Sequence, residues 1–252
     1  MDIQAREMQR LASASASVSA SASAPRFDIY TTIHKALRAL MSDTLLALGR
    51  MDCEDTLEFA QVTQRVQQLL EFCHAHLNHE NDFVHAAMEA RAGGSSSQIA
   101  DEHVEHVTSI QALARQTTAL LQGPAAQRAD HALALYRALA LFIAHNFVHM
   151  NEEETVHNEV LWRHYTDAEI VDIHNALVGS IPPEDMMFVM RWMVPHMNPA
   201  ERLAVLTDVR AHAPAPAFAA TLDIARPHLS EREWTKLCEG LGLAAVPGLV
   251  EH

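Results

Sequence analysis

The chain has 252 residues and a net charge of −14 with histidine neutral, from 18 Lys and Arg against 32 Asp and Glu. That balance disfavours a phosphate backbone as partner, and no local basic cluster offsets it. No apolar run reaches the roughly 18–20 residues of a bilayer-spanning helix, so neither nucleic acid nor membrane is expected as partner.

Residues 1–26 are rich in Ala and Ser and lack the apolar mass to fold, so they read as a tail. From there on Ala, Leu, Met, Glu, Gln and Arg dominate, which is a helical vocabulary. Over 27–50, Ile33, Leu37, Leu40, Met41, Leu45 and Leu48 form a helical stripe with His34 beside it. Gly49 and residues 51–54 break the pattern. Asp55 and Glu58 read as a capping box that opens a second helix running to about residue 92.

On that second helix His76 and Glu80 are four apart and share one face with apolar neighbours. His74 and His79 fall toward solvent, and His85 lies more than a turn beyond. After Gly93-Gly94 a third helix over 97–122 places Ile99, His103, His106, Ile110, Leu113 and Leu120 on one stripe, so both histidines stand at inward positions. Gly123-Pro124 ends it. The fourth helix carries FIAHNFVHMNEEETVH, in which His145, His149 and Glu153 fall at i, i+4 and i+8. Phe142, Ile143, Phe147 and Val148 are expected to turn this stripe toward a core; the alternative is a surface helix with a Glu154/His157 cap region.

Beyond it, capping boxes at Thr166/Glu169, Asn198/Glu201 and Ser230/Glu233, with prolines at 182, 183, 214 and 216, cut the remainder into four or five shorter helices. Met186, Met187, Met190, Met193 and Met197 read as core filling there rather than a partner groove. The expected organisation is thus a tail over 1–26, a bundle over 27–165 and a C-terminal helical subdomain over 166–252. Cys53, Cys73 and Cys238 are odd in number and far apart, as free thiols in a reducing compartment would be. The N-terminal stretch has no apolar signal core, and a cytoplasmic location is expected.

Counted from the turns at about 1.5 Å per residue, His34, His76, His103 and His149 lie at heights that agree to within a turn or two in an up-down-up-down bundle. A buried carboxylate beside buried imidazoles is costly unless its charge is compensated, and a cation compensates it. Five nitrogens exceed the needs of one tetrahedral zinc, whereas two ions bridged by Glu80 and Glu153 use them all. There is no HExxH, and only Glu154 and His157 have ExxH spacing, so neither a zinc protease nor a ferritin-type site is indicated.

A histidine early in helix one, HxxxE on helix two, a histidine on helix three and HxxxE on helix four together resemble the hemerythrin-like (HHE cation-binding) proteins. Here these are His34, His76 with Glu80, His103, and His149 with Glu153, spread over about half of the chain. The resemblance implies an all-α fold: a four-helix bundle of hemerythrin type with an additional C-terminal helical region. It also implies two iron ions, bridged by the carboxylates and an oxo or hydroxo group. Implied ligands are His34, His76, Glu80, His103, His149 and Glu153, with His106 as a fifth nitrogen. Glu154, five residues after His149, has the step to the bridging aspartate of oxygen carriers; Glu153 keeps the four-residue step. The implied role is to bind or sense dioxygen or a related diatomic such as nitric oxide. A di-iron enzyme of peroxidase-like or nitric-oxide-consuming type, and iron storage, are the alternatives. The family says nothing firm of the C-terminal helices, which are left for a second copy or a protein partner.

Overall fold

The computed structural model describes residues 26–245, so nearly all of the expected 1–26 tail lies outside the described residues. What is described is helical, with no strand among the described residues. Helix α1 spans Thr31–Arg50. Asp28 starts it, accepting hydrogen bonds from the Tyr30 and Thr31 amides at 2.9 and 3.0 Å. Helix α2 spans Thr56–His79 and runs on through a π-helical turn, Glu80–His85, into the short α3, Ala86–Arg91. Asp55 caps α2 by accepting from Leu57 and Glu58, one half of the expected box.

Helix α4 covers Ser97–Gln122 and α5 Arg128–Glu152. A second π turn, Glu153–His157, leads from α5 into α6, Asn158–His164. Five further helices follow: α7 Asp167–Ser180, α8 Pro183–His196, α9 Pro199–His212, α10 Ala215–Ala225 and α11 Glu231–Leu241. The expected boxes at Thr166, Asn198 and Ser230 are all present in full, each satisfying two otherwise orphaned amide donors.

α1 packs on α2, α2 on α4, α4 on α5 and α5 back on α1, which closes a four-helix ring. α8 lies along the outside of α1, and the methionines go into the core there: Met190, Met193 and Met197 are buried. Phe188 meets Phe72 edge-on at 5.5 Å. The helical run Ala125–His164 does have the length and apolar character to cross a bilayer, contrary to the expectation from the sequence. In the fold it is one wall of the ring, with Leu135, Leu139 and Phe142 buried inward.

The ring interior is layered. One end is a large apolar core containing Leu40, Val66, Leu69, Leu120, Leu135 and Leu139. Burial of each such side chain stabilises the fold by about 1.5–3 kcal/mol. At the other end Ile29, Tyr30, Val84, Met88, Leu161 and Ile170 form a second, smaller apolar cluster. Between the two clusters lies a slab of buried histidine and glutamate. Along α1 the order is Tyr30, His34, Leu37. Along α2 and its π turn it is Leu77, Glu80, Val84, so the slab is crossed in the opposite sense, as alternating helix directions require.

A candidate metal centre between two apolar layers

Each wall of the ring contributes to the slab. His34 comes from α1, His76 and Glu80 from α2 and its π turn, His103 from α4, and His149 and Glu153 from α5 and the second π turn. His34, Glu80, His103, His149 and Glu153 are all buried, and the His76 side chain keeps 12 % of its surface exposed.

The donors fall into two sets. In the first, His34 Nε2 lies 3.5 Å from Glu80 Oε1 and 3.5 Å from Glu153 Oε2, and His76 Nε2 lies 3.0 Å from Glu80 Oε1. In the second, His103 Nε2 lies 3.6 Å from Glu80 Oε2 and 3.6 Å from Glu153 Oε1, while His149 Nε2 lies 3.3 Å from Glu153 Oε1. Each carboxylate therefore turns one oxygen to each pair of imidazoles. The groups His34/His76/Glu80 and Glu80/His103/His149/Glu153 each bring their ligand atoms within 4.8 Å of one another.

These atoms lack ordinary hydrogen-bond partners. His34 Nε2, His76 Nε2 and all four oxygens of Glu80 and Glu153 are buried with none. His103 Nε2 faces His149 Nε2 at 3.1 Å, so two imidazole lone pairs point at one spot unless a proton or a cation stands between them. Orphaned buried groups of this kind are costly, and cations between the rings and carboxylates would satisfy all of them at once.

The opposite ring nitrogens are held from outside. His34 Nδ1 pairs with Glu154 Oε1 at 3.0 Å, His103 Nδ1 with Asn81 Oδ1 at 2.8 Å, and His149 Nδ1 with Glu102 Oε2 at 2.9 Å. Oxygen acceptors at Nδ1 fix the tautomer that aims an Nε2 lone pair inward, the usual support of metal-binding histidine. Glu154 is itself gripped by Arg38 through two hydrogen bonds, at 2.5 and 3.1 Å. It therefore stands behind His34, and Glu153 is the carboxylate inside.

Without a cation the slab is an ion-paired network. Burial works against a charged His34, but Glu154, which accepts at its Nδ1, and the nearby carboxylates of Glu80 and Glu153 outweigh it and raise the ring to about 9. His149 behaves likewise: Glu153 and Glu102 overcome burial and raise it to about 10. Burial and the repulsion of Glu80 push Glu153 up, yet His149 and His103 hold it at about 2. Glu80 is held well below the usual range, His76 and His34 outweighing its burial.

At four histidines the structure adds to, or departs from, what the sequence suggests. His145 is exposed, as are Phe147 and Val148. The buried stripe of α5 runs through Leu139, Phe142, Asn146 and His149, in alternating steps of three and four, and His145 sits one position off it. His106 is buried, with its ring edge-on to His149 at 4.6 Å, but it is not among the side chains whose donors converge. His157 is 1 % exposed and lies in the slab, which rules out the alternative of a surface helix capped there. His85 is buried there as well.

Both overlooked histidines close a π turn that begins at a carboxylate. On a regular α-helix, residues five apart differ by about 140° in direction. The wider turn over Glu80–His85 removes most of that angle and brings both to one side. The signal for His157 was its spacing, eight residues after His149 and four after Glu153. Cys73 is buried and pushed up to about 12 by its apolar surroundings, which fits an inert thiol.

The match to a known family comes through this same region. The model of the hemerythrin HHE cation-binding domain matches residues 26–176. No curated protein and no solved structure matches the chain. Residues 26–176 take in all four walls of the ring, every donor of the slab and the smaller apolar cluster beyond it. The chain belongs to the hemerythrin HHE cation-binding family.

Proposed function

We propose that the protein is a non-haem di-iron protein, located in the cytoplasm, that binds or senses dioxygen or a related diatomic molecule. The observation that carries this reading is the two-fold division of the donors: two imidazole nitrogens and one oxygen from each of Glu80 and Glu153 at either position. Two histidines and two carboxylate oxygens leave coordination positions open on an iron that prefers five or six ligands, and iron in such a set supplies reversible redox chemistry and affinity for diatomics.

The chain's own residues do the rest. Glu80 and Glu153 bring negative charge between the two positions. Glu154, Asn81 and Glu102 hold three rings in the ligand tautomer, and the two apolar layers keep bulk water off the slab. Lys35, next to His34, reaches Glu201 of α9 at 2.6 and 2.7 Å, and α8 packs along α1. Those contacts give the C-terminal helices a mechanical hold on the helix carrying His34, through which a partner or a second copy would read the state of the centre.

The test is metal analysis of protein from iron-replete cells, with absorption spectra under argon, in air and with nitric oxide. Two irons per chain and a spectrum that responds to either gas are expected. A chain that takes up no iron, or whose iron spectrum ignores both gases, sinks the proposal.

A further inference from the structure

The slab holds more donors than two positions use. His85 is buried, and neither of its ring nitrogens has a hydrogen-bond partner. Its ring stacks on His103 at 4.9 Å with 14° between planes and stands edge-on to His157 at 5.2 Å. A nitrogen of His85, a nitrogen of His157 and an oxygen of Glu153 lie within 4.8 Å of one another, all three residues buried.

His157 repeats the outer arrangement of the other slab histidines: its Nδ1 lies 3.2 Å from the Tyr30 hydroxyl, leaving Nε2 as the remaining nitrogen. Tyr30 is fully in the interior and stays a neutral phenol, because burial and the Glu153 and Glu80 charges oppose its ionisation. Both histidines end a π turn, a local winding that regular helix would not adopt without cause and that recurs at functional sites.

We propose that His85, His157 and Glu153 form a third cation site beside the two positions described above. Two imidazoles and one carboxylate are a ligand set that suits zinc or ferrous iron and leaves a fourth position open. Each carboxylate oxygen has two lone pairs, so Glu153 can serve this ion while still reaching the others. The inference extends the metal-binding reading and rests on it.

The experiment uses the full chain, stripped with a chelator, loaded with excess Zn(II), passed over a desalting column and counted for metal per chain. The unaltered protein is expected to retain three ions. The double variant His85→Gln with His157→Gln is expected to retain two, and a control with the exposed His74→Gln and His145→Gln three. In a Zn(II) titration, Tyr30→Phe should weaken the last binding event by roughly ten-fold or more and leave the first two unchanged, as loss of a supporting hydrogen bond does. If helical circular dichroism shows the double variant unfolded, His85→Gln alone is scored by the same count. Two ions on the unaltered chain overturn the third site and leave the di-metal reading standing. Three on the double variant means surface ions and overturns it too. None or one on the unaltered chain overturns both.

Discussion

The two ends of the ring are made by the same four helices and solve opposite problems. At the apolar end, Val66, Leu69, Leu120, Leu135 and Leu139 fill the interior and need nothing else. At the slab end, a few residues along the same helices, the interior consists of imidazole and carboxylate with orphaned atoms. The first end is stable by itself through burial. The second carries a cost in the free protein that protons offset in part and a bound cation would remove, so stability at that end depends on pH and on metal as it does not at the other.

Several substitutions separate the two ends. The largest effect is expected from replacing His103 and His149 together by Leu, which removes half of the imidazole donors. Metal-dependent stabilisation, about 4 kcal/mol at a thousand-fold excess over Kd, should then fall sharply in thermal melts with and without metal. Leu69→Ala at the apolar end should cost about 3 kcal/mol in urea unfolding and leave metal content unchanged. If Leu69→Ala instead lowered metal content, the two ends would not be separable.

Smaller shifts sharpen the contrast. Asn81→Ala removes only the outer acceptor of His103 and should weaken metal binding roughly ten- to hundred-fold in a titration, with little change in the melting of the metal-free chain. Asp55→Ala removes the α2 cap, far from the slab, and should cost about 1 kcal/mol with no effect on metal.

Of the two ends of the ring, the slab is the one that pH acts on most strongly. In the metal-free protein His34 is raised from 6.5 to about 9 and His149 from 6.5 to about 10. A raised histidine contributes stability that is complete below its unfolded value and disappears as pH climbs through the folded one. The stripped protein should therefore lose stability between about pH 6.5 and 10, while metal binding tightens over the same range because the protons no longer compete. Glu153, lowered from 4.5 to about 2, makes the opposite contribution, present above pH 4.5 and lost as pH falls toward 2. Melting of the stripped and loaded forms across this range is the check, and parallel curves would refute the coupling.

Much of this was legible in the residues. Capping chemistry marks helix starts locally, which is why Thr166, Asn198 and Ser230 are found in full boxes. The 3.6-residue period orders Ile99, His103, Ile110 and Leu113 on one face, and it pairs His76 with Glu80. The same period failed at His85, because a π turn changes the direction of every residue after it and no residue type announces one. It also misplaced His145, where the actual inward stripe follows steps of three and four around Asn146. The outer acceptors Asn81, Glu102 and Glu154 are ordinary polar residues whose partners lie on other helices, so only the packed ring reveals them. The run Ala125–His164 shows the converse limit: its apolar content is that of a membrane span, and packing against α1 and α4 gives it another use.

Among the four rings of the two positions, His76 alone keeps a sizeable share of its side chain in contact with solvent, 12 % against 3 % or less for the others. The halves of the centre are thus unequal in access although alike in donors. If ions occupy both positions as proposed, the one beside His76 would be the nearer to solvent. A chelator added to the loaded protein would then be expected to strip it in two phases, a quick one for that position and a slow one for the other.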